Sequence, residues 1–359
     1  MQAAVCRAFG EPLVIEEVAL DPPGRGEVAV DLAACAICHS DIIFADGGWG
    51  GQLPAVYGHE AAGVVRAVGQ GVEGLKSGDH VVVTLIRSCG HCGSCAQGAP
   101  VTCETTFPRD AQTPLHRPNG DGLTQGLRTG AFAESVVVDA SQVVVIPPSI
   151  PLDAASLLAC GVITGFGAVT NTAALQAGTT AAVIGAGGVG LNSVQGAAIS
   201  GARMVVALDL VESKLEAARR FGATHAVNAG APDVVEQVRR LAGGRGVDYV
   251  FITVGAKAAI PQALGMVARS GTVVLVGMPA SGVTVAVDPG DIAHNNLRIL
   301  GSKMGGARIQ ADIPRLVALY REGRLKLDEL ISGRYPLARI NEAIASARSG
   351  SALRNVIVF

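Results

Sequence analysis

A glycine-rich turn between two apolar strands is the feature that most restricts how this chain can fold. Residues 179–210 read TTAAVIGAGGVGLNSVQGAAISGARMVVALDL, which is the pattern of strand, turn, helix and strand. Gly185, Gly187 and Gly190 form GxGxxG directly after the first strand, with Gly188 in the same turn. Such glycines let the backbone approach a pyrophosphate at a helix N-terminus, whose free amides and dipole favour anions. The segment therefore predicts a dinucleotide-binding unit.

An aspartate at the end of the second strand indicates which dinucleotide is bound. Asp209 lies 24 residues after Gly185. Its carboxylate can accept hydrogen bonds from both hydroxyls of the adenosine ribose and would repel a 2′-phosphate. The sequence therefore predicts NAD as the cofactor, in preference to NADP.

The chain has 359 residues, which is long for a single hydrophobic core, and its patterning predicts two domains. Further strands in DYVFITVG and GTVVLVGMP alternate with helical stretches such as VESKLEAARRFG and PDVVEQVRRLAG, which predicts a doubly wound parallel sheet over 162–300. The short valine-rich runs GEVAVDLAA, AAGVVRAVG and GDHVVVT predict an antiparallel β domain over 1–161. The chain would rejoin this domain over 301–359 through LRNVIVF.

Charge and hydropathy narrow the classes of partner. The net charge of −2 gives no electrostatic reason to expect nucleic acid or an anionic membrane, so we expect a small-molecule ligand. Residues 154–202 carry no charge, but threonines, Asn171 and repeated glycines interrupt them, which favours a buried sheet with its helices over a membrane span. The N-terminal segment has no apolar signal core, so we expect a cytoplasmic protein.

Half of the eight cysteines lie in one short segment. In a reducing cytoplasm clustered cysteines favour metal over disulfides. The segment CGHCGSCAQGAPVTC has CxxCxxC spacing followed by a fourth, more distant cysteine, and it supplies Cys89, Cys92, Cys95 and Cys103. An iron–sulfur cluster is the alternative, but the fourth cysteine is too distant for that pattern and lacks its following proline. Four thiolates would close a tetrahedral zinc site, which predicts a structural metal.

Three other residues could form a second zinc site. Cys38 is followed 21 residues later by His59, and Cys160 lies far along the chain in LLACGVITGFGAV. Three ligands with an open fourth position are typical of catalytic zinc. Local sequence does not connect them, because an isolated cysteine in an apolar segment is usually a small buried hydrophobe.

Six motifs occur in one order along the chain: CHSD, GHEAAGVV, GDHVV, CGHCGSC with its later cysteine, CGVITGFGAV and GAGGVG. In this the chain resembles the zinc-dependent, medium-chain alcohol dehydrogenases over essentially its whole length. The resemblance implies an α/β protein with an antiparallel β-rich, GroES-like catalytic domain and a Rossmann domain. It also implies two zinc ions per chain, NAD, a homodimer or homotetramer, and Cys38, His59 and Cys160 as the catalytic zinc ligands.

The same resemblance assigns roles to the neighbours of those ligands. Ser40 would hydrogen-bond the substrate oxygen and accept its proton. Asp41 would orient His59 by accepting from the distal ring nitrogen. Glu60 would lie behind the metal as an occasional ligand, the alternative being a strand-end acid paired with an arginine. His39 would contact the cofactor pyrophosphate.

Further residues are assigned to the cofactor and the substrate by the same resemblance. The nicotinamide contacts would be Thr164, Val189 and Val276. The ribose and phosphate contacts would be Lys214 and Arg354. The substrate cleft would be lined by Trp49 and Leu85, with Met278 near the cofactor edge.

One residue departs from the family pattern, and the substrate is the least determined property. Ile43 stands where many relatives have a proton-relaying histidine, so the end of the relay is unassigned. The apolar cleft predicts medium-sized or aromatic primary alcohols. A thiol-dependent formaldehyde dehydrogenase is the alternative, with a cation supplied by Arg109, Arg117 or Arg128. A non-catalytic homologue would lack the open zinc site, whereas all three of its ligands are present here.

Overall fold

The computed structural model describes residues 1–350 and 352–359 and divides into two compact units. One comprises Met1–Cys160 with Arg308–Phe359, and the other comprises Gly161–Ala307. The sequence placed the second boundary at 300/301, which would cut through the end of the strand Arg298–Gly301. That strand belongs with the parallel sheet because it pairs with a neighbour inside that sheet.

The described residues form 19 strands and 11 α-helices. The strands are β1 (Gln2–Cys6), β2 (Val14–Glu17), β3 (Ala19–Leu20), β4 (Glu27–Ala36), β5 (Ala55–Val56), β6 (Glu60–Val68), β7 (His80–Val83), β8 (Leu115–His116), β9 (Gly122–Gln125), β10 (Ser135–Asp139), β11 (Val143–Val145), β12 (Thr180–Ile184), β13 (Met204–Asp209), β14 (His225–Asn228), β15 (Val247–Ile252), β16 (Val267–Leu275), β17 (Arg298–Gly301), β18 (Ile331–Pro336) and β19 (Arg354–Val358). The helices are α1 (His39–Ala45), α2 (Gly93–Ala96), α3 (Leu152–Ser156), α4 (Gly161–Gly167), α5 (Gly188–Ile199), α6 (Glu212–Arg220), α7 (Val234–Leu241), α8 (Ala259–Met266), α9 (Pro289–His294), α10 (Ile309–Arg321) and α11 (Ile340–Arg348).

Within 1–350 and 352–359, no single helix is long and apolar enough to cross a membrane. One bent pair, Leu152–Ala159 with Gly161–Thr172, reaches that length and apolarity only when its two helices are taken together.

The first unit is built from two largely antiparallel sheets. The larger has the order β11-β7-β6-β4-β19-β18, with β10 also paired to β4. The smaller has the order β2-β1-β5-β9-β8-β3. The C-terminal strand β19 pairs antiparallel with β4, so the chain rejoins this unit as the sequence predicted.

The register of the larger sheet brings distant parts of the chain together at one end of its central strands. Ala36 at the end of β4 pairs with Glu60 at the start of β6, and on its other side with Val356 of β19. The residues that follow β4 therefore lie beside the first residues of β6 and β19. Valines and alanines fill the core behind this edge, because alternate β-strand positions face inward.

The second unit is the predicted doubly wound sheet, with six parallel strands in the order β14-β13-β12-β15-β16-β17. All five residues of β12 are buried, as expected for a strand covered by helices on both faces. The chain runs outward from β12 to β14 and then returns to β15 on the other side of β12. This reversal of strand order creates the crevice where parallel sheets bind dinucleotides, and the glycine turn after β12 lies there.

Candidate functional site

Asp41 ties two loops of the first unit together. Asp41 lies in the first turn of α1, and its side chain is 1% exposed. One carboxylate oxygen accepts the backbone N–H of Cys38 at 3.0 Å, and the other accepts the N–H of Gly58 at 3.0 Å. The second oxygen also lies 2.8 Å from Nδ1 of His59, which must carry the proton because a carboxylate only accepts. Asp41 therefore fixes both the tautomer of His59 and its position relative to Cys38.

Four buried side chains converge next to Asp41, and their donor atoms lie within 4.8 Å of one another: Cys38, His59, Glu60 and Cys160. Since Asp41 holds Nδ1 of His59, the buried Nε2 is the atom left for a ligand, and no hydrogen-bond partner meets it in the described chain. Two thiols and one imidazole are the donors that zinc prefers. The residues present therefore fit a zinc ion held by Cys38, His59 and Cys160, with the carboxylate of Glu60 close by.

The ionisation of Cys38 suits metal binding. A hydrogen bond with the Cys160 thiol is the largest influence that lowers the pKa of Cys38 well below its ordinary value. Burial opposes this lowering, and the electrostatic influence of His59 adds to it. Thiolate is the form in which cysteine ligates metals, so the pocket favours the required state of Cys38. The same hydrogen bond, together with burial, raises the pKa of Cys160 well above its ordinary value.

Glu60 lies among the donors of the first site and is also paired with an arginine. It is completely buried among the zinc-site donors, and it also accepts a hydrogen bond from the guanidinium of Arg354. Burial raises the pKa of Glu60 to about 7, and the charge of Arg354 acts against that rise. The two residues are 294 positions apart in sequence and meet because β6 and β19 flank the end of β4. The predicted contact between Arg354 and the cofactor stays a prediction.

The second cysteine cluster has the dimensions of a closed metal site. Sγ of Cys92 and Sγ of Cys103 are 3.9 Å apart. Tetrahedral zinc with Zn–S bonds of about 2.3 Å separates its sulfurs by about 3.8 Å. Hydrogen bonds from the Thr105 hydroxyl and from the His91 backbone lower the pKa of Cys89 to about 5. With Cys95 the four sulfurs lie within 4.8 Å of one another, so this loop fits a structural zinc.

The glycine turn of the second unit has the space that a pyrophosphate needs. Gly185 has φ of +98°, and a Cβ on Gly190 would lie 1.8 Å from the carbonyl oxygen of Gly185. A Cβ on Gly187 would meet nothing within 4 Å, so the backbone is open to a ligand at the start of α5. Asp209 closes the turn by accepting the backbone N–H groups of Ala186 at 2.7 Å and Val211 at 3.0 Å.

Comparison with known proteins supplies the family. Residues 24–148 match the alcohol dehydrogenase GroES-like domain, and residues 188–322 match the zinc-binding dehydrogenase domain. A relative from Mycobacterium tuberculosis whose name places it among the alcohol dehydrogenases is 39% identical over 99% of both chains. The NDMA-dependent alcohol dehydrogenase of Amycolatopsis methanolica is 37% identical over 99% of this chain and 98% of its own.

The chain belongs to the zinc-dependent medium-chain alcohol dehydrogenase family. A further relative is the S-(hydroxymethyl)glutathione dehydrogenase of Saccharomyces cerevisiae, which is 35% identical over 99% of this chain and 95% of its own.

Solved structures of other alcohol dehydrogenases and zinc-binding dehydrogenases share the fold. An alcohol dehydrogenase zinc-binding domain protein from Burkholderia ambifaria superposes with a TM-score of 0.95 at 38% identity, covering 100% of this chain and 98% of its own. The benzyl alcohol dehydrogenase of Acinetobacter calcoaceticus has a TM-score of 0.93 at 30% identity, covering 100% and 99%. A Sinorhizobium meliloti 1021 protein whose structure holds NADP has a TM-score of 0.85 at 27% identity, covering 100% and 99%. An oxidoreductase that uses zinc and a nicotinamide cofactor is thus supported.

Three of the residues predicted around the first zinc site lie within residues 39–49 of the first unit, and Leu85 lies in a separate loop of the same unit. His39 and Ser40 are the first two residues of α1, directly after Cys38, with His39 exposed and Ser40 half-buried. Trp49 is half-buried and packs edge-on against Phe44, with ring centroids 5.2 Å apart. Leu85 is half-buried in the loop after β7.

The residues predicted to contact the nicotinamide lie in the parallel-sheet unit, as does Lys214, whereas Arg354 lies in the first unit. Thr164 is 8% exposed, and its hydroxyl donates to Sδ of Met304 at 3.7 Å. Val276 follows β16 and is buried, whereas Met278 two residues later is 63% exposed. Val189 and Lys214 are half-buried in the first turns of α5 and α6.

The sequence reading missed one buried cation near the predicted substrate residues. Arg87 lies two positions after Leu85, and its side chain is 4% exposed. Its position so close to a predicted cleft residue is the only sequence signal that it carries.

Proposed function

We propose that the chain is an NAD-dependent zinc alcohol dehydrogenase that interconverts medium-sized or aromatic primary alcohols and their aldehydes. The observation that carries this proposal is the buried set of Cys38, His59 and Cys160 donors, oriented by Asp41. The structural likeness to a benzyl alcohol dehydrogenase supports the substrate class. Two zinc ions per chain are proposed from the two donor sets.

Each residue at the site has a task in this reaction. When bound, zinc supplies a Lewis acid for the substrate oxygen, and NAD supplies the hydride acceptor. Ser40 can accept the proton of the alcohol, because its half-buried hydroxyl both donates and accepts. Asp41 holds His59 and the Cys38 loop still. Ile43 has no proton to exchange, so the proton leaves from Ser40 by another route than this side chain.

The metal assignment is tested with a pair of cysteine variants. Cys38→Ser should reduce the zinc content from two ions per chain to one and abolish alcohol oxidation, with the fold retained by circular dichroism. Cys92→Ser should also remove one zinc, but its effect should fall mainly on thermal stability, because this site holds a loop. Near wild-type turnover by Cys38→Ser would contradict the proposal, and zinc and NAD binding without turnover by the wild type would indicate a non-catalytic homologue.

The preference for NAD is proposed from Asp209, which ends β13 beside the glycine turn. Its negative charge disfavours a 2′-phosphate. Asp209→Ser should narrow the ratio of kcat/KM for NAD to that for NADP by at least tenfold. Stability should decrease slightly, because two backbone N–H groups lose their acceptor. Equal use of both cofactors by the wild type would refute this assignment.

A second candidate is a thiol-dependent formaldehyde dehydrogenase, which similarity to the S. cerevisiae enzyme favours. Of the arginines considered for gripping a thiol adduct, Arg109 is bound in bidentate fashion by Glu27, at 2.6 and 2.9 Å. This pairing leaves Arg109 less available to a substrate. The test compares NADH production from benzyl alcohol or 1-hexanol with that from formaldehyde plus glutathione or mycothiol. Efficient turnover only when the thiol is present would replace the first candidate with the second.

A further inference from the structure

A turn with an unusual backbone lies at the end of the parallel-sheet unit. In the turn Lys303–Gly306, which follows β17, three successive residues have a positive φ: Met304 at +48°, Gly305 at +65° and Gly306 at +58°. Glycine adopts this left-handed conformation readily, but a methionine is held there only where its surroundings impose it. Strained residues of this kind concentrate at ligand-binding sites.

The turn is fixed against helix α4 and the residues that follow that helix. A Cβ on Gly305 would lie 2.3 Å from the carbonyl oxygen of Ile163, so this close approach requires glycine. The side-chain amide of Asn171 donates to the carbonyl of Gly305 at 3.2 Å. The hydroxyls of Thr172 and Ser302 lie 2.8 Å apart. These contacts hold the backbone on both sides of the methionine, and the fold thereby maintains its positive φ.

Met304 contacts a residue that is predicted to face the nicotinamide. The hydroxyl of Thr164 donates to Sδ of Met304 at 3.7 Å, and Thr164 is 8% exposed. Helix α5 reaches the same point of α4, because a Cβ on Gly165 would lie 2.1 Å from the carbonyl oxygen of Val189. Thr164 therefore lies beside Val189, a second predicted nicotinamide contact, and the sulfur of Met304 holds one member of this pair.

We infer that Met304 positions the nicotinamide half of the cofactor by fixing the side chain of Thr164. A threonine side chain has three staggered rotamers, which differ in where its hydroxyl and methyl groups point. The sulfur stabilises the rotamer whose hydroxyl reaches it, so Thr164 presents one constant surface to a ligand. Met304 is thus a positioning residue that acts through Thr164. This role rests on the proposed function, of which the nicotinamide contact of Thr164 is a part.

The first experiment compares two ligands that differ in the nicotinamide group. NADH and ADP-ribose are titrated by calorimetry into the zinc-loaded full-length wild type and into Met304→Leu. Leucine keeps an apolar side chain of similar volume and must adopt the same unfavourable φ, but it has no sulfur acceptor. Loss of one neutral hydrogen bond should weaken NADH binding about fivefold and leave ADP-ribose binding unchanged.

Met266→Leu is the matched control, because Met266 is a fully buried methionine in the core of the same unit. This variant should leave the ratio of the two affinities unchanged. A general distortion in Met304→Leu would weaken NADH and ADP-ribose equally, and that result would overturn the role of Met304. Wild-type NADH affinity in Met304→Leu would overturn it as well.

The second experiment tests whether Met304 acts through Thr164. Thr164→Val removes the hydroxyl and keeps the shape of the side chain, so the sulfur loses its donor. In a double-mutant cycle, adding Met304→Leu to Thr164→Val should change the ratio of the two affinities by less than about twofold. A further fivefold loss of NADH affinity in the double variant would show that Met304 acts independently of Thr164 and would refute the inference.

Failure of the proposed function would give a different result. A wild-type protein that binds neither NADH nor ADP-ribose would refute the proposed function and the role of Met304 with it. A wild type that oxidises benzyl alcohol with NAD, with the same affinity ratio in Met304→Leu, would refute the role of Met304 alone.

Discussion

Replacing Asp41 by asparagine tests the centre of the zinc-site architecture. The carboxylate accepts three hydrogen bonds, from Cys38, Gly58 and His59, and the side chain is 1% exposed. An asparagine oxygen at the position nearest His59 can keep the bonds from Gly58 and His59, but its NH₂ group then faces the backbone N–H of Cys38. That buried donor loses its acceptor, which is unfavourable by about 1–3 kcal/mol. The two remaining bonds lose their charge, at about 1 kcal/mol each.

The sum predicts that the free energy of unfolding of the β-rich unit falls by about 3–5 kcal/mol, which lowers the Tm of a unit of this size by about 10 °C. Zinc affinity at the first site should fall by about 10- to 100-fold, because His59 loses a charged partner. Thermal unfolding of the chelator-treated protein and zinc competition against a chelator measure the two effects. Asp31→Asn is the control, since its exposed pair with Arg66 contributes at most about 1 kcal/mol. A Tm and a zinc affinity equal to those of the wild type in Asp41→Asn would refute the role that we assign to Asp41 in holding Cys38 and His59 in place.

Two glycine variants and one ion pair give further predictions. Gly187→Ala should keep the Tm and weaken NAD binding, because its Cβ would enter the open space where a pyrophosphate would lie. Gly190→Ala should lower both the Tm and the affinity for NAD, because its Cβ would lie 1.8 Å from the carbonyl oxygen of Gly185. Equal Tm values for the two variants would contradict this. Burial raises the pKa of Glu27, but hydrogen bonds from Arg109 and from the Gly24 backbone hold that pKa below the ordinary 4.5. The ionised Glu27 therefore stabilises the folded protein fully above pH 4.5, and this stabilisation is lost as the pH falls through the lower folded-state pKa. The Tm difference between wild type and Glu27→Gln should therefore shrink as the pH falls below 4.5, and a constant difference would contradict the role of this ion pair.

Features whose chemistry is local could be predicted from the sequence. The glycine turn is encoded within a few residues, because Gly190 must approach Gly185 closely wherever such a strand and helix are joined. Four cysteines within one short loop can reach a single metal without help from the rest of the chain. The antiparallel β domain and the parallel α/β domain were likewise predicted, because apolar residues repeat with different periods in strands and in helices, and each period can be read within one segment.

Only the tertiary structure brings Cys160 to Cys38 and His59, since no periodicity links residues more than a hundred positions apart. The pairing of Arg354 with Glu60 depends on sheet register, which puts β6 and β19 on opposite sides of the end of β4. A shift of one residue in either pairing would turn these side chains to the other face of the sheet. The turn at Leu127 and Arg128 also depends on the fold, because both residues have a positive φ that their own sequence disfavours, and Gln142 from a separate segment donates to the carbonyl of Arg128.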